Sequence, residues 1–553
     1  MASIKSEKTV PIEPVLKSPE SSDANPDRPE LPAVRFWLLA LSLCLGLLLS
    51  FMDSSIVATS LFAIGTEFQQ MDTVNWVALA YTLCYLGFAV FFARLSDVIG
   101  RRNAFATAYL VFFAFSLGCG FAKTMNQLIA CRAFQGIGGS GLYSITMIIL
   151  LETTPAGTKQ FLASMIGVVV AVGGVLGPVL GGVLTHYTSW RWVFWINGPI
   201  GFVSMVLFCL AWPKAEYLPN VERRTWKELD YPGSVLLIAA AVLVVFPFQD
   251  ASSSALWDQA IFVVPLVVGL ACWLGLVLWE VFIHRRWGDK MAAAFPMGLL
   301  RNRAYTSAVV NTLFLGFPFV MLVYAFPLRV QVVNGKSSLV AGVMMLPLLA
   351  ASATGSVLAG IINKVKDRTV ETLALSSCLV ALGCGLLSTI SGTLEVEAKA
   401  LGFLVFVGLG FGLSAAGTTM VGNLQSSLRD HSPAQGIIAQ IRILGGSLGI
   451  AASSAILGTT LRSQLASVVD PKLLNSLENA TSQLTSVQLN AVRRAYSEAF
   501  NEDMRVCAIV ASVSVVLAFG AWTKPSSRPT VQERGAQHLK NEIDRRTAAA
   551  NEY

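Results

Sequence analysis

Two ionisable residues stand where an apolar chain has no ordinary use for them. Asp53 lies in F-M-D-S-S-I-V and Arg132 in L-I-A-C-R-A-F-Q, each inside a long apolar run. A carboxyl at such a depth either holds a proton or needs a cation beside it. An arginine near the middle of an apolar helix costs roughly 2.5–3.5 kcal/mol on insertion scales, so it calls for a partner or a polar cavity. Snorkelling to the surface is the other outcome for Arg132, which is about one turn inside its segment. Asp53 and Arg132 are therefore the candidate proton-coupling residues, with a fixed structural ion pair as the alternative reading. Gln135 follows Arg132 by three residues, on nearly the same helix face. Gln135 and Asn311 are the candidates for lining a substrate cavity.

A third charged cluster has a different character. Residues 93–102 read A-R-L-S-D-V-I-G-R-R between two apolar runs. Such a cluster belongs at a membrane face, in a tight turn that Gly100 makes possible. Asp97 can pair with an arginine or face a neighbouring helix end. Asp97, Gly100, Arg101 and Arg102 are the candidate gate, and a plain positive anchor is the simpler reading. Gly173, Gly177, Pro178, Gly181 and Gly182 form G-x-x-x-G-P-x-x-G-G. Glycines at spacing four give a flat face for close helix approach, and proline removes a backbone hydrogen bond.

Other chemistries find no support. The nine cysteines lie in apolar segments at spacings that suit no metal, and the four histidines are scattered. No G-x-x-x-x-G-K-[ST] loop occurs, so ATP is not the expected energy source. No cofactor or metal is expected. Asn479-Ala480-Thr481 is a glycosylation sequon, in use only if its loop faces the lumen or the outside.

The elements that must position these residues are membrane helices. The chain has 553 residues, 54% of them hydrophobic and only 13% charged, with a mean hydropathy of +0.62. One helix needs about 20 apolar residues to cross a bilayer, and fourteen such spans can be drawn. Most of the 40 Lys and Arg fall in the two tails and in the loops after even-numbered spans. Both termini are thus expected in the cytoplasm, and the net charge of +7 is an orientation signal rather than a nucleic-acid signal. The expected organisation is a disordered tail over 1–35, a six-helix bundle over 36–212, linkers and two extra spans (232–249 and 259–283) over 213–303, a second six-helix bundle over 304–523, and a tail over 524–553. A polar outside loop is expected at 461–503, before a last span at 504–523. No cleaved signal peptide is expected.

These motifs together resemble the major facilitator superfamily. Residues 93–102 resemble G-x-L-[AS]-D-x-x-G-R-[RK], with Ala93 replacing the first glycine. Leu128–Gly138 resembles L-x-x-x-R-x-x-Q-G-x-G, and the Gly173–Gly182 run resembles the signature of antiporters that export. The Asp53 segment resembles L-D-x-T-I-V-N-V-A-L-P of the fourteen-span drug:proton antiporters. Ser55, Ala58 and Phe62 depart from it. Trp190-Arg191-Trp192, Asn197, Pro199 and the Arg442–Gly449 run resemble the same group, with Arg442 open to a snorkelling or a functional role. The resemblance implies an all-α fold of two six-helix bundles plus two extra helices. It implies efflux of amphipathic organic molecules in exchange for protons, in the style of fungal exporters of toxins, secondary metabolites or drugs. A monomer in the plasma membrane is expected, with a small molecule, protons and lipid as its partners. Alternatives with the same fold are a vacuolar or plasma-membrane transporter of amino acids, iron chelates or glutathione, and a non-transporting receptor.

Overall fold

The computed structural model describes residues 31–70, 73–74, 76–154, 159–214, 217, 225–254, 259–286, 297–363, 367–426, 431–465 and 486–519. Every element among them is helical. The first half comprises α1 (Ala33–Ile56), the short α2 (Leu61–Phe68), α3 (Trp76–Ile99), α4 (Arg101–Gly120), α5 (Met125–Thr153), α6 (Lys159–Tyr187), the single turn α7 (Trp192–Trp195) and α8 (Asn197–Ala211). Two helices follow, α9 (Tyr231–Ser254) and α10 (Ala260–Arg286). After the turn α11 (Met297–Leu300) come α12 (Arg303–Val332), α13 (Ser338–Val343), α14 (Leu346–Ile362), α15 (Thr369–Leu387), α16 (Ala398–Gln425), α17 (His431–Leu465) and α18 (Ser486–Phe519). Among the described residues, thirteen stretches are long and apolar enough to cross a membrane, against the fourteen expected; the last expected span, 504–523, falls on α18, which is not one of the thirteen.

Local chemistry sets the ends. Gly100 separates α3 from α4 at φ 86°, a backbone region that side chains with a Cβ avoid. The Thr124 side chain caps α5, the Asn302 side chain caps α12, and Ser337 caps α13. Three expected spans turn out to be interrupted. The first closes at Ile56, passes through a tight turn at Val57–Thr59 and resumes as α2. The sixth is divided at Ile196 between α7 and α8. The tenth is divided at Met344–Met345 between α13 and α14.

The expected loop over 461–503 needs correction. α17 continues to Leu465 and α18 begins at Ser486. Much of the interval is therefore helix projecting beyond the apolar part. Val492 and Ala495 pack against Leu465 and Val332, and this tertiary contact holds the polar extension as helix. Asn479 lies outside the described residues.

Packing makes two halves. α1 lies against α6 and α8, and α5 is wedged between α3 and α4. In the second half α16 lies between α14 and α15, and α12 is held by α17 and α18. The halves meet where α6 packs on α14 and α16, and where α17 packs on α3 and α5. α9 seats against α3 and α17 and so covers one edge of that seam. α10 packs on α9 and is mostly exposed, with Val264, Leu270, Leu274 and Leu278 facing outward. Such an apolar outer surface suits lipid rather than water.

Candidate functional site

Asp53 and Arg132 come together. Their side chains form an ion pair with no exposure at all. α1 brings the acid and α5 the base, and the rest of the pocket consumes their remaining valences. The Asn197 amide donates to the second Asp53 oxygen at 2.8 Å and to Ser116 at 2.9 Å. Arg132 donates through Nε to the Val77 carbonyl at 3.0 Å, and through Nη1 to Gln135 Oε1 at 2.9 Å. Its guanidinium lies 4.1 Å from the centre of the Tyr81 ring, whose hydroxyl donates to the Ser50 carbonyl at 2.9 Å. The snorkelling outcome for Arg132 is not what forms: the head group points into the bundle, because Asp53 waits there and lipid does not.

The glycine face of α6 explains where Asp53 can sit. A Cβ at Gly173 would lie 2.8 Å from the Phe51 Cβ, and one at Gly177 2.7 Å from the Met52 carbonyl oxygen. Gly181 faces Ile56 and Thr59 in the same way. α1 therefore rests backbone to backbone on α6 over the turns that carry Asp53. Pro178 lies inside α6, which runs on to Tyr187, and Gly182 is buried beside it.

The Asp97 turn is a charge cluster within the first half. Arg101 donates to Asp97 at 2.6 Å and to Glu152 at 2.8 Å, tying α3, α4 and α5 together at one face. Arg94, almost fully buried, lies 3.6 Å from the other Asp97 oxygen. Arg102 is exposed and makes no ion pair among the described residues. Contact with the second half is made alongside, by apolar atoms: a Cβ on Gly436 of α17 would lie 3.2 Å from the Ala93 Cβ.

Asn311 departs from its expected place. Its amide donates to Ser377 at 2.8 Å and Ser514 at 3.1 Å, and its oxygen accepts from Ser414 at 2.7 Å. These residues lie on α15, α18 and α16, and the main contacts of α15 and α18 among the described residues are with helices of the second half. Asn311 is a hub of that bundle's interior and does not line the seam between the halves. A buried amide that finds this many hydroxyls satisfies itself there.

Sequence reasoning missed several participants. Glu152 was legible only as an acid ending an apolar run. Glu67 accepts from the Trp190 indole at 2.6 Å and from Arg191 at 2.7 Å, tying α2 to the Trp190–Trp192 segment. Burial resists ionisation of its carboxyl, but the Trp190 and Arg191 bonds outweigh that and hold it below its ordinary value. Among the described residues, two polar contacts cross between the halves. The Tyr324 hydroxyl of α12 donates to the Ser54 carbonyl, beside Asp53, at 3.2 Å. Arg442 of α17 donates to the Tyr143 hydroxyl of α5 at 2.8 Å. No residue pattern in either partner announces the other.

Two membrane-spanning six-helix halves that meet along a seam, with a buried ion pair on one side of it, define a transporter rather than an enzyme. The chain belongs to the Major Facilitator Superfamily, whose family model matches residues 43–452. It is 31% identical over 514 residues to the MFS-type transporter FPY5 of Fusarium mangiferae, covering 90% of this chain and 86% of that one. It is 28% identical over 511 residues to the efflux pump roqT of Penicillium rubens, covering 90% and 93%. The fold is similar to that of the proton:xylose symporter XylE, with a TM-score of 0.57, 13% identity, and coverage of 92% of this chain and 100% of that one.

Proposed function

We propose that the protein exports amphipathic organic molecules in exchange for protons, with Asp53 as the proton-binding group and Arg132 as its counter-charge. The observation that carries this reading is the fully buried Asp53–Arg132 pair. A buried ion pair is held by attraction between desolvated charges, and protonating the acid removes that attraction. Arg132 would then turn toward Gln135 and Tyr81, its neighbours in the pocket. Ser54, the next residue on α1, accepts the Tyr324 bond from the second half. A change at Asp53 thus reaches the contact between the halves through one peptide unit. The relative named as an efflux pump supports the direction.

In this reading both termini face the cytoplasm, and the Asp97–Arg102 turn guards the cytoplasmic entrance. The Arg101 bonds to Asp97 and Glu152 hold the ends of three helices, so their loss would loosen that face. One proton entering down 100 mV supplies about 2.3 kcal/mol, to which a pH difference adds. The cargo is a secondary metabolite, a toxin or a drug, and the membrane is the plasma membrane. The transporter works as a monomer.

The test is transport in inside-out vesicles with an imposed pH gradient. Substrates found by a drug and metabolite sensitivity panel should be taken up only when the lumen is acid. Asp53→Asn should lower gradient-driven uptake at least tenfold while leaving the purified protein monodisperse. An Asp53→Asn protein with wild-type uptake and wild-type pH dependence would remove Asp53 from the proton path.

A further inference from the structure

Arg442 is a buried charge with no carboxylate partner among the described residues. It is only 6% exposed. Its head group donates to the Tyr143 hydroxyl at 2.8 Å, the Thr418 hydroxyl at 2.9 Å and the Ala415 carbonyl at 3.4 Å, all neutral acceptors. Among the described residues no carboxylate pairs with it, whereas Arg94, Arg101 and Arg132 each have one. Arg442 also stands eleven residues after the start of α17 at His431. At 1.5 Å per residue that is about 16 Å along the helix, inside the stretch apolar enough to cross a membrane. A guanidinium at this depth is expensive, and neutral hydroxyls replace its lost water only in part.

Its position is as telling as its charge. Thr418 belongs to the second half and Tyr143 to the first, so the guanidinium bridges the seam that alternating access must open. Around Tyr143 lies an aromatic group. Phe51 meets it edge-on with centroids 5.1 Å apart, and Tyr85 stacks at 6.4 Å. When the halves part, the Tyr143 bond breaks and the fork of N–H donors loses its bridge. A carboxylate is the group that matches that fork with two parallel bonds.

We infer that Arg442 binds the anionic group of the cargo at the seam, with Phe51, Tyr85 and Tyr143 receiving an adjacent aromatic or apolar body. The preferred cargo is then an organic acid with an aromatic portion, and in the closed structure Tyr143 and Thr418 occupy the acid's place. The inference rests on the export reading only for calling this ligand cargo. Equilibrium binding without any gradient tests it separately.

The experiment uses the full chain in lipid nanodiscs at pH 7.5, with empty nanodiscs as blank. The probes are naphthalene-1-acetate, indole-3-butyrate and pyrene-1-butyrate, each matched with its own primary amide. For at least one pair the wild type should bind the acid tenfold or more tightly than the amide, the scale of a charge-assisted bond. Arg442→Gln should abolish that preference, and Arg442→Lys should keep part of it. Tyr143→Phe and Thr418→Val release donors of the guanidinium, so each should raise the acid-over-amide preference at least twofold. These two decide the matter if Arg442→Gln is not monodisperse. A wild type that prefers none of the three acids overturns the inference, as does an undiminished preference in Arg442→Gln or a preference raised in neither releasing variant. Gradient-driven export without any charge preference would sink this inference and spare the export reading. Charge preference without gradient-driven export would do the reverse.

Discussion

At the scale of single residues the molecule separates charges that are paired from charges that are not. Asp53 and Arg132 are individually costly and jointly tolerable. Removing one partner strands the other, typically at 3–5 kcal/mol. Arg132→Gln should therefore lower thermal stability in detergent more than Asp53→Asn/Arg132→Gln does, since the double variant leaves no buried charge. Thermal unfolding of the purified proteins measures this. A double variant no more stable than Arg132→Gln would mean that the pair is not a unit. Asp53 and Arg132 were both visible in the sequence as charges in apolar surroundings. Their pairing was not, because 79 residues separate them and a fixed ion pair was only one of two readings. Asn197 belongs to the same pocket through its bond to Asp53, although the sequence marked it only through the resemblance of its segment to the fourteen-span group. Asn311 shows the opposite error. Its polarity in an apolar span suggested a cavity, yet three neighbouring serines and the Leu373 carbonyl were enough to satisfy it inside one bundle.

At the scale of elements the close approach of α1 to α6 matters most. Gly177 leaves no room for a Cβ against the Met52 carbonyl. Gly177→Ala should push the two helices apart by several tenths of an ångström and move Asp53 away from Arg132. The expected result is a loss of 1–3 kcal/mol, the usual range for overpacking, together with at least a tenfold loss of transport. Gly174→Ala is the control. Its Cβ would meet nothing nearer than a Phe319 ring carbon at 3.9 Å, so it should retain near-wild-type transport. Equal damage from both would show that helix approach is not the cause. The spacing of these glycines predicted a packing face from sequence alone. Which helix lay on it, and that the contact fell over Asp53, required the fold. The interruptions at Val57, Ile196 and Met344 escaped detection because hydropathy continues across them. Backbone turns inside an apolar run leave no compositional trace.

At the scale of the whole molecule, the proposed export requires the halves to move against each other. The contact of Gly436 with Ala93 offers a direct handle. Cβ atoms bridged by a disulfide lie about 3.5–4.5 Å apart, and a Cβ at position 436 would begin 3.2 Å from that of Ala93. With the nine native cysteines replaced, Ala93→Cys/Gly436→Cys should cross-link on mild oxidation and halt transport, and a reductant should restore it. Undiminished transport in the cross-linked protein would mean that the halves stay together at this point throughout the cycle. α9 covers an edge of the same seam by packing on both α3 and α17. The two added helices are thus placed differently: one leans on the moving joint, and the other shields it toward lipid.

The sequence by itself determined the class of molecule. Apolar runs of spanning length, separated by short polar turns, have one stable outcome in a bilayer, because every backbone polar group must be satisfied within its own helix. It also determined which positions carry unusual chemistry, since a charge or a glycine in an apolar run stands out without any neighbour. The tertiary structure decided what those residues do to one another. It paired Asp53 with Arg132, gave Arg101 to Glu152, turned Asn311 inward, and left Arg442 bridging the two halves on neutral acceptors alone. Such pairings depend on which helix faces lie together, and helices of similar hydropathy can pack in many orders. Only the assembled bundle, where glycines permit close approach and larger side chains forbid it, selects one.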